Sequence, residues 1–239
     1  MPLPKISTPS YELVIPSTKK KVKFRPFLVK EEKILILAME SQNNKQIANA
    51  VKDVISSCIT TRGVKVENLA TFDIEYLFLN IRGKSVGEDL DVNIICPDDK
   101  VTEVKVNISL DDIKCVKDEN HTNKIKLDDN LMMELKYPSL DEFIKTNFDM
   151  KEQNQMEQSF DLIAQCIDKV YNEDEVWATE DCTKKELNEF LESMNSSQFK
   201  EIEGFFTTMP KLTHKFMVTN PKTKVESEVV LEGLASFFA

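Results

Sequence analysis

Along the first 60 residues, apolar positions change period twice. Tyr11, Leu13 and Ile15 alternate with other residues, as do Val22 and Phe24, and the "PSTKK" between them suits the turn of a β-hairpin. Ile34, Leu35, Leu37 and Ala38 then predict a short apolar helix. Ile47, Val51, Val54, Ile55 and Cys58 recur at the helical period and predict a second. "FDIEYLFLNIRGKSVGE" (72–88) predicts a third helix ending at Gly83 or Gly87.

From 90 to 137 the period becomes two. Val92, Ile94 and Cys96 form one alternating run. Val104, Val106, Ile108 and Leu110 form another, and Leu131, Met133, Leu135 and Tyr137 a third. Pro and Asp/Asn clusters separate these runs, which predicts a small antiparallel sheet. Helical spacing then returns in three stripes. The first is Phe160, Ile163, Ala164, Ile167, Val170 and Tyr171; the second is Leu187, Phe190, Leu191 and Met194. The third is Phe199, Ile202, Phe205, Phe206 and Met209, closed by Pro210. "SLDE" (139–142) and "TKKE" (183–186) read as capping boxes, hydroxyl and Glu satisfying each other's free amides. His214, Phe216 and Val218 alternate, "NPKT" turns at 220–223, and "VVL" (229–231) returns.

The expected class is α+β: an N-terminal hairpin arm, a helical body, a small antiparallel sheet insert, and C-terminal helices ending in a β-hairpin. The expected divisions are a basic, Pro-containing arm at 1–30 and a body at 31–239. That body carries the insert at about 90–137 and the terminal hairpin at about 212–232.

Charge adds an asymmetry. Residues 1–30 hold seven Lys/Arg against one acid, Glu12, for +6; the rest holds 24 basic and 40 acidic residues, for −16. A basic arm on an acidic body suits an acidic protein surface, its own included, or nucleic acid through Lys19, Lys20, Lys21, Lys23 and Arg25. A net charge of −10 opposes the second use. The longest apolar stretch, "ILILAM" at 34–39, is far short of the ~20 residues of a membrane span. "MPLPKISTPS" lacks the layout of a signal peptide, so the expectation is a soluble, intracellular protein. Five scattered cysteines without a CxxC fit reduced thiols.

Candidate chemistry is sparse. "RGKS" (82–85) imitates the end of a phosphate-binding loop, but Phe78 stands where that motif needs its first glycine, and the stretch before it is helical. Cys96, Cys115 and His121 match no zinc spacing. His121, in "DENHTN", is expected to face solvent, and His214 to be partly buried beside Phe216. The pairs Asp98–Asp99, Asp111–Asp112 and Asp128–Asp129 fall at turns, where they cap their own backbone or hold a cation weakly. No catalytic, cofactor-binding or metal-binding residue is assigned. A hydrolase centred on His214 is the enzymatic alternative.

Three segments carry a resemblance: "IPSTKKKVKFRPFLVKEEKILILAMES" (15–41), "FDIEYLFLNIRGKSVGE" (72–88) and "FFTTMPKLTHKFMVTNPKTKVESEVVLEGLASFF" (205–238). In this order they resemble the baseplate hub assembly proteins of T-even-like tailed bacteriophages, over almost the whole chain. The resemblance implies a non-enzymatic hub subunit or assembly factor without a cofactor. It would be made in an infected bacterium and act on other hub or wedge proteins of a contractile tail. The partner-binding candidates are Lys19, Lys20, Lys21, Lys23, Arg25, Pro26 and Phe27, with Phe205, Phe206, Met209, Pro210, Phe237 and Phe238. The aromatic pairs 205–206 and 237–238 either clamp onto each other inside the fold or form a patch offered to a partner.

Overall fold

The computed structural model describes residues 6–144 and 155–233. In chain order its elements are β1 (Tyr11–Val14), β2 (Lys21–Phe24), α1 (Val29–Glu40), α2 (Asn44–Cys58), α3 (Thr71–Val86), β3 (Asp89–Ile95), β4 (Glu103–Ser109), β5 (Lys114–Val116), β6 (Lys124–Lys126) and β7 (Met132–Leu135). Then follow α4 (Leu140–Ile144), α5 (Gln155–Cys166), β8 (Ile167–Tyr171), β9 (Val176–Ala178), α6 (Lys184–Glu192), α7 (Ser196–Thr208), β10 (Lys211–Thr219) and β11 (Glu226–Glu232). The class is α+β, with small antiparallel sheets. Among the described residues, no helix is long and apolar enough to cross a membrane.

Contacts divide the chain into two units. The first takes the chain up to Val66, Phe72–Val116 and the chain from Lys211; the second takes Glu67–Thr71 and Lys117–Pro210.

In the first unit, β1 and β2 pair antiparallel from Tyr11↔Phe24 to Val14↔Lys21. The turn closes with Lys19 at φ +57°, a left-handed position. Alternation buries Val22 and Phe24 and leaves Lys21 and Lys23 outside. The hairpin is fastened to the end of α2 by Arg25 N–H donating to Cys58 O at 3.0 Å and Thr60 N–H to Lys23 O at 2.8 Å. Asn43 caps α2, its side chain accepting from Gln46 N–H. Helix α3 is enclosed: no residue from 71 to 85 is exposed, and Leu77 and Ile81 are fully buried. Phe72, Ile74, Leu77, Leu79 and Ile81 put apolar side chains around much of its circumference, which is the pattern of a buried helix. The helix runs through Gly83 and stops before Gly87. Gly83 is a close approach rather than a stop, since a Cβ there would lie 2.5 Å from Leu110 Cδ1. The "RGKS" residues lie inside this helix, as expected of a decoy.

Strands β3 and β4 form a hairpin from Asp89↔Ser109 to Ile95↔Glu103. Strand β5 joins the terminal hairpin in the order β11–β10–β5. Leu79, Leu90, Val92, Ile94, Ile108, Leu212, Val218 and Leu231 meet in one core cluster.

In the second unit the strand order is β6–β7–β8–β9. Met133, Leu135, Ile163, Ile167, Leu191, Ile202 and Phe205 pack in its core. The backbone of residues 69–71 is held by Ser139 and its neighbours, with Leu140 N–H donating to Leu69 O and Thr71 N–H to Pro138 O, each at 3.2 Å. Both expected capping boxes form. Ser139 N–H donates to Glu142 at 2.8 Å and Glu142 N–H to Ser139 Oγ at 3.2 Å; Thr183 and Glu186 exchange the same pair.

Two expectations change. The strands of 90–137 form, but they belong to three separate sheets rather than one. The stripe from Phe160 to Tyr171 is not one helix: α5 ends at Cys166 and the chain continues directly as β8, with Val170 opposite Met133. Ile167, Val170 and Tyr171 are β-favouring residues, and pairing with a distant strand decides their state.

Candidate functional site

Surface exposure separates the sequence-selected residues into two groups. Lys19, Lys20, Lys21 and Lys23 are exposed on the first hairpin, with Lys23 Nζ 3.4 Å from Glu12. Arg25 is turned inward. Its guanidinium donates to Glu31 Oε1 at 2.9 Å, Pro26 O at 2.9 Å and Ser57 O at 3.0 Å, with Cys58 Sγ at 3.8 Å. Glu31 is buried and also accepts from Leu28 N–H at 2.7 Å. Burial pushes the Glu31 carboxyl up, but Arg25, the Leu28 amide and Lys30 outweigh it and hold the group below the usual carboxylate range. Arg25 therefore fastens the hairpin to the start of α1. Pro26 and Phe27 are half-buried, and Phe27 N–H donates to Ser85 Oγ at 2.9 Å.

The other group lies in the second unit. Phe205 is buried, Phe206 and Met209 are half-buried, and Pro210 is buried. Phe205 and Phe206 meet edge-on with centroids 5.1 Å apart. Phe237 and Phe238 lie outside the described residues.

His121 departs from expectation: it is buried rather than solvent-facing. Its ring lies 5.1 Å from Phe205 and 5.6 Å from Tyr137. Nδ1 is 2.9 Å from Thr208 Oγ1 and Nε2 is 2.9 Å from Tyr137 OH. Thr208 Oγ1 donates its proton to Gly204 O at 2.7 Å and so accepts from Nδ1–H. Nε2 is then left to accept from Tyr137 OH, which makes the neutral Nδ1–H tautomer the fitting one. Burial, then Lys117, push this imidazole below its ordinary value, against Asp118. The histidine is a polar tie between Tyr137 and α7.

Catalytic geometry is not assembled around the remaining candidates. His214 is half-buried in strand β10 and stacks on Phe216 at 5.1 Å; among the described residues its ring makes no hydrogen bond or ion pair. The five cysteines are free. Burial raises the thiol of Cys58 to about 11 and those of Cys115 and Cys166 to about 12, so they stay protonated and inert. Among the described residues, no cluster of His, Cys, Asp or Glu has the geometry of a metal site. Asp99 and Asp128 cap their own turns, whereas Asp111 and Asp112 lie in a short 3-10 helix. Asp99 accepts from Val101 N–H and Thr102 N–H at 3.0 and 2.9 Å, while Asp98 accepts from Asn220 Nδ2 at 3.0 Å and from Thr223 Oγ1. Through Asp98 the β3–β4 turn is clasped to the β10–β11 turn. Thr223 and Asn220 hold the Asp98 carboxyl below its usual range.

The surface that sequence selection missed is α1. Val29 is 80% exposed, Met39 65%, Leu37 55% and Ile36 50%. From sequence, the "ILILAM" run predicts only a short apolar helix. Two concavities stand out among the described residues of the second unit. One of about 630 Å³ lies between β6 and α7 and has mixed polar lining, including Lys124, Asn195 and Glu201. The other, of about 370 Å³, is apolar and is floored by Ile167 and Val170.

These features describe an α+β protein whose notable chemistry is apolar surface left uncovered. The chain matches the family described as T4 bacteriophage base plate protein over residues 8–239, and it belongs to that family. No curated protein and no solved structure matches it.

Proposed function

We propose that this baseplate protein is a non-enzymatic hub subunit or hub assembly factor. It works in the infected bacterium's cytoplasm and binds other hub or wedge proteins of a contractile tail. Family membership supports the baseplate, and the resemblance of the three long segments supports the hub. The observation that carries a contact role is α1, whose Val29, Ile36, Leu37 and Met39 stand uncovered. Several large apolar side chains left exposed on one helix are the kind of surface that marks a protein contact. The lysines at 19, 20, 21 and 23 border the same N-terminal region and suit an acidic partner. Nucleic acid is the weaker reading, because Arg25 is spent on Glu31 and the Ser57 carbonyl. Phe205 and Phe206 pack in the second unit's core first.

Quantitative mass spectrometry of purified particles and of hub intermediates tests the reading. A fixed small copy number per particle makes the protein a subunit. Presence in intermediates alone makes it an assembly factor, and absence from both rejects a baseplate role. Ile36→Glu with Met39→Lys should remove the protein from those intermediates while leaving it folded.

A further inference from the structure

A second docking surface lies wholly within the second unit. Trp177, the chain's one tryptophan, sits on edge strand β9. Ile167 and Val170 of β8 floor the apolar cleft beneath it, and Leu131, Leu187 and Phe190 wall it. Trp177 remains 41% exposed and its neighbour Val176 64%. Large aromatics left half in water beside an apolar cleft are the residues that anchor protein contacts.

Charge identifies the occupant. Glu173, Asp174 and Glu175 form the turn before β9, and Glu180 and Asp181 the turn after it, all exposed. Asn172 Oδ1 shapes the first turn by accepting from Asp174 N–H at 2.9 Å and Glu175 N–H at 2.6 Å, and this leaves the carboxylates facing outward. Among the described residues, none of these five acids takes part in an ion pair. The lysines next to them in sequence are committed elsewhere: Lys169 to Glu134 at 3.2 Å, Lys184 to Asp161 at 2.8 Å, and Lys185 to Glu189 at 3.5 Å. An apolar slot beneath a strand whose two flanking turns carry uncompensated negative charge is complementary to one kind of ligand.

We infer that the cleft under Trp177 receives a basic protein segment, its apolar side chains entering the cleft and its Lys or Arg residues meeting the acids at 173–175 and 180–181. A volume of about 370 Å³ lies at the small end of the range for binding pockets, about 300–1,000 Å³, and suits one or two side chains. The inference stands on the cleft and its rim, so it holds or fails independently of the baseplate role.

Trp177 supplies its own reporter. The full chain would be titrated with three synthetic peptides of equal length: one of Lys and Leu, one of Lys and Ser, one of Glu and Leu. The expected result is a blue-shifted, quencher-protected Trp177 emission with Lys/Leu alone. That binding should weaken as salt rises from about 0.05 M to about 0.5 M. Reversing the exposed tip by Glu173→Lys, Asp174→Lys and Glu175→Lys should weaken it about tenfold without altering the melting temperature. Leu187→Glu, read by calorimetry, should abolish it. Equal binding of Glu/Leu would remove the charge argument. Equal binding of Lys/Ser would reduce the effect to general attraction toward an acidic protein. No emission shift with any peptide would overturn the inference.

Discussion

Helices α1 and α3 are written in much the same alphabet and end in opposite environments. Both are rich in Ile and Leu around most of their circumference. Helix α3 has Leu77 and Ile81 fully buried, while α1 keeps Leu37 and Met39 more than half exposed. The first is enclosed and the second is an exposed apolar surface. An apolar helix gains stability only from what surrounds it, so the same pattern yields a core in one place and an exposed apolar face in the other. Deleting side chains from the two helices should therefore give opposite signatures, one in stability and one in assembly.

The largest expected effect belongs to α3. Leu77→Ala removes a fully buried side chain and should cost about 2–5 kcal/mol, read from urea unfolding of the purified protein. A loss below ~1 kcal/mol would mean that α3 is not the enclosed helix described here.

Next is the fastening of α1 to the first hairpin. Arg25→Ala leaves the buried Glu31 carboxylate with only the exposed Lys30 as an ion partner and should cost about 3 kcal/mol, with Arg25→Met plus Glu31→Met recovering most of it. The sign of its pH dependence follows from the lowered carboxyl. The contribution is fully present above the unfolded value, near ~4.3, and is lost as pH falls through the folded value.

How far the sequence speaks depends on the range of the force involved. Local signals were readable: the first hairpin, both capping boxes, the end of α3 before Gly87 and Pro210 after α7. Pairings over distance were not. Ile163, Ala164, Ile167 and Val170 fit a helical stripe, yet Ile167 and Val170 are in a strand because Leu135 and Met133 lie opposite them. His121 stands in a polar hexapeptide, and only contacts with Tyr137 and the far Thr208 bury it. The Trp177 cleft gave no periodic signal, since β9 is three residues long. Exposure of α1 has no sequence mark at all, because composition does not say whether an apolar helix is covered by its own chain.

Smaller in effect is the contact that lets α3 pack closely. Gly83→Ala places a methyl 2.5 Å from Leu110 Cδ1, the far end of a side chain that must turn aside; that shift offsets the gain in helix propensity of ~1 kcal/mol, and the net change should stay within about 1 kcal/mol. Combining it with Leu110→Ala should cost less than the sum of the two single changes, because the second makes room for the first.

His121 offers a pH test that α3 and α1 do not share. Its folded value is depressed, so the unfolded state takes up the proton first. Its contribution is whole above the unfolded value of ~6.5 and is lost as pH falls below it. The lowered carboxyls of Glu31, Asp98 and Glu186 respond only nearer pH ~4, so a fall in melting temperature between about pH 7 and 5.5 isolates the histidine. His121→Gln should flatten that slope.

The smallest change in stability is expected on α1, and it is the most informative. Ile36→Ser with Leu37→Ser exchanges exposed apolar groups for polar ones of similar helix propensity, so unfolding free energy should stay within about 0.5 kcal/mol of the parent. If the pair instead costs as much as Leu77→Ala, the two helices are both core and α1 is no interface. If the protein is equally stable but no longer enters hub intermediates, then α1 is apolar because its cover is another protein.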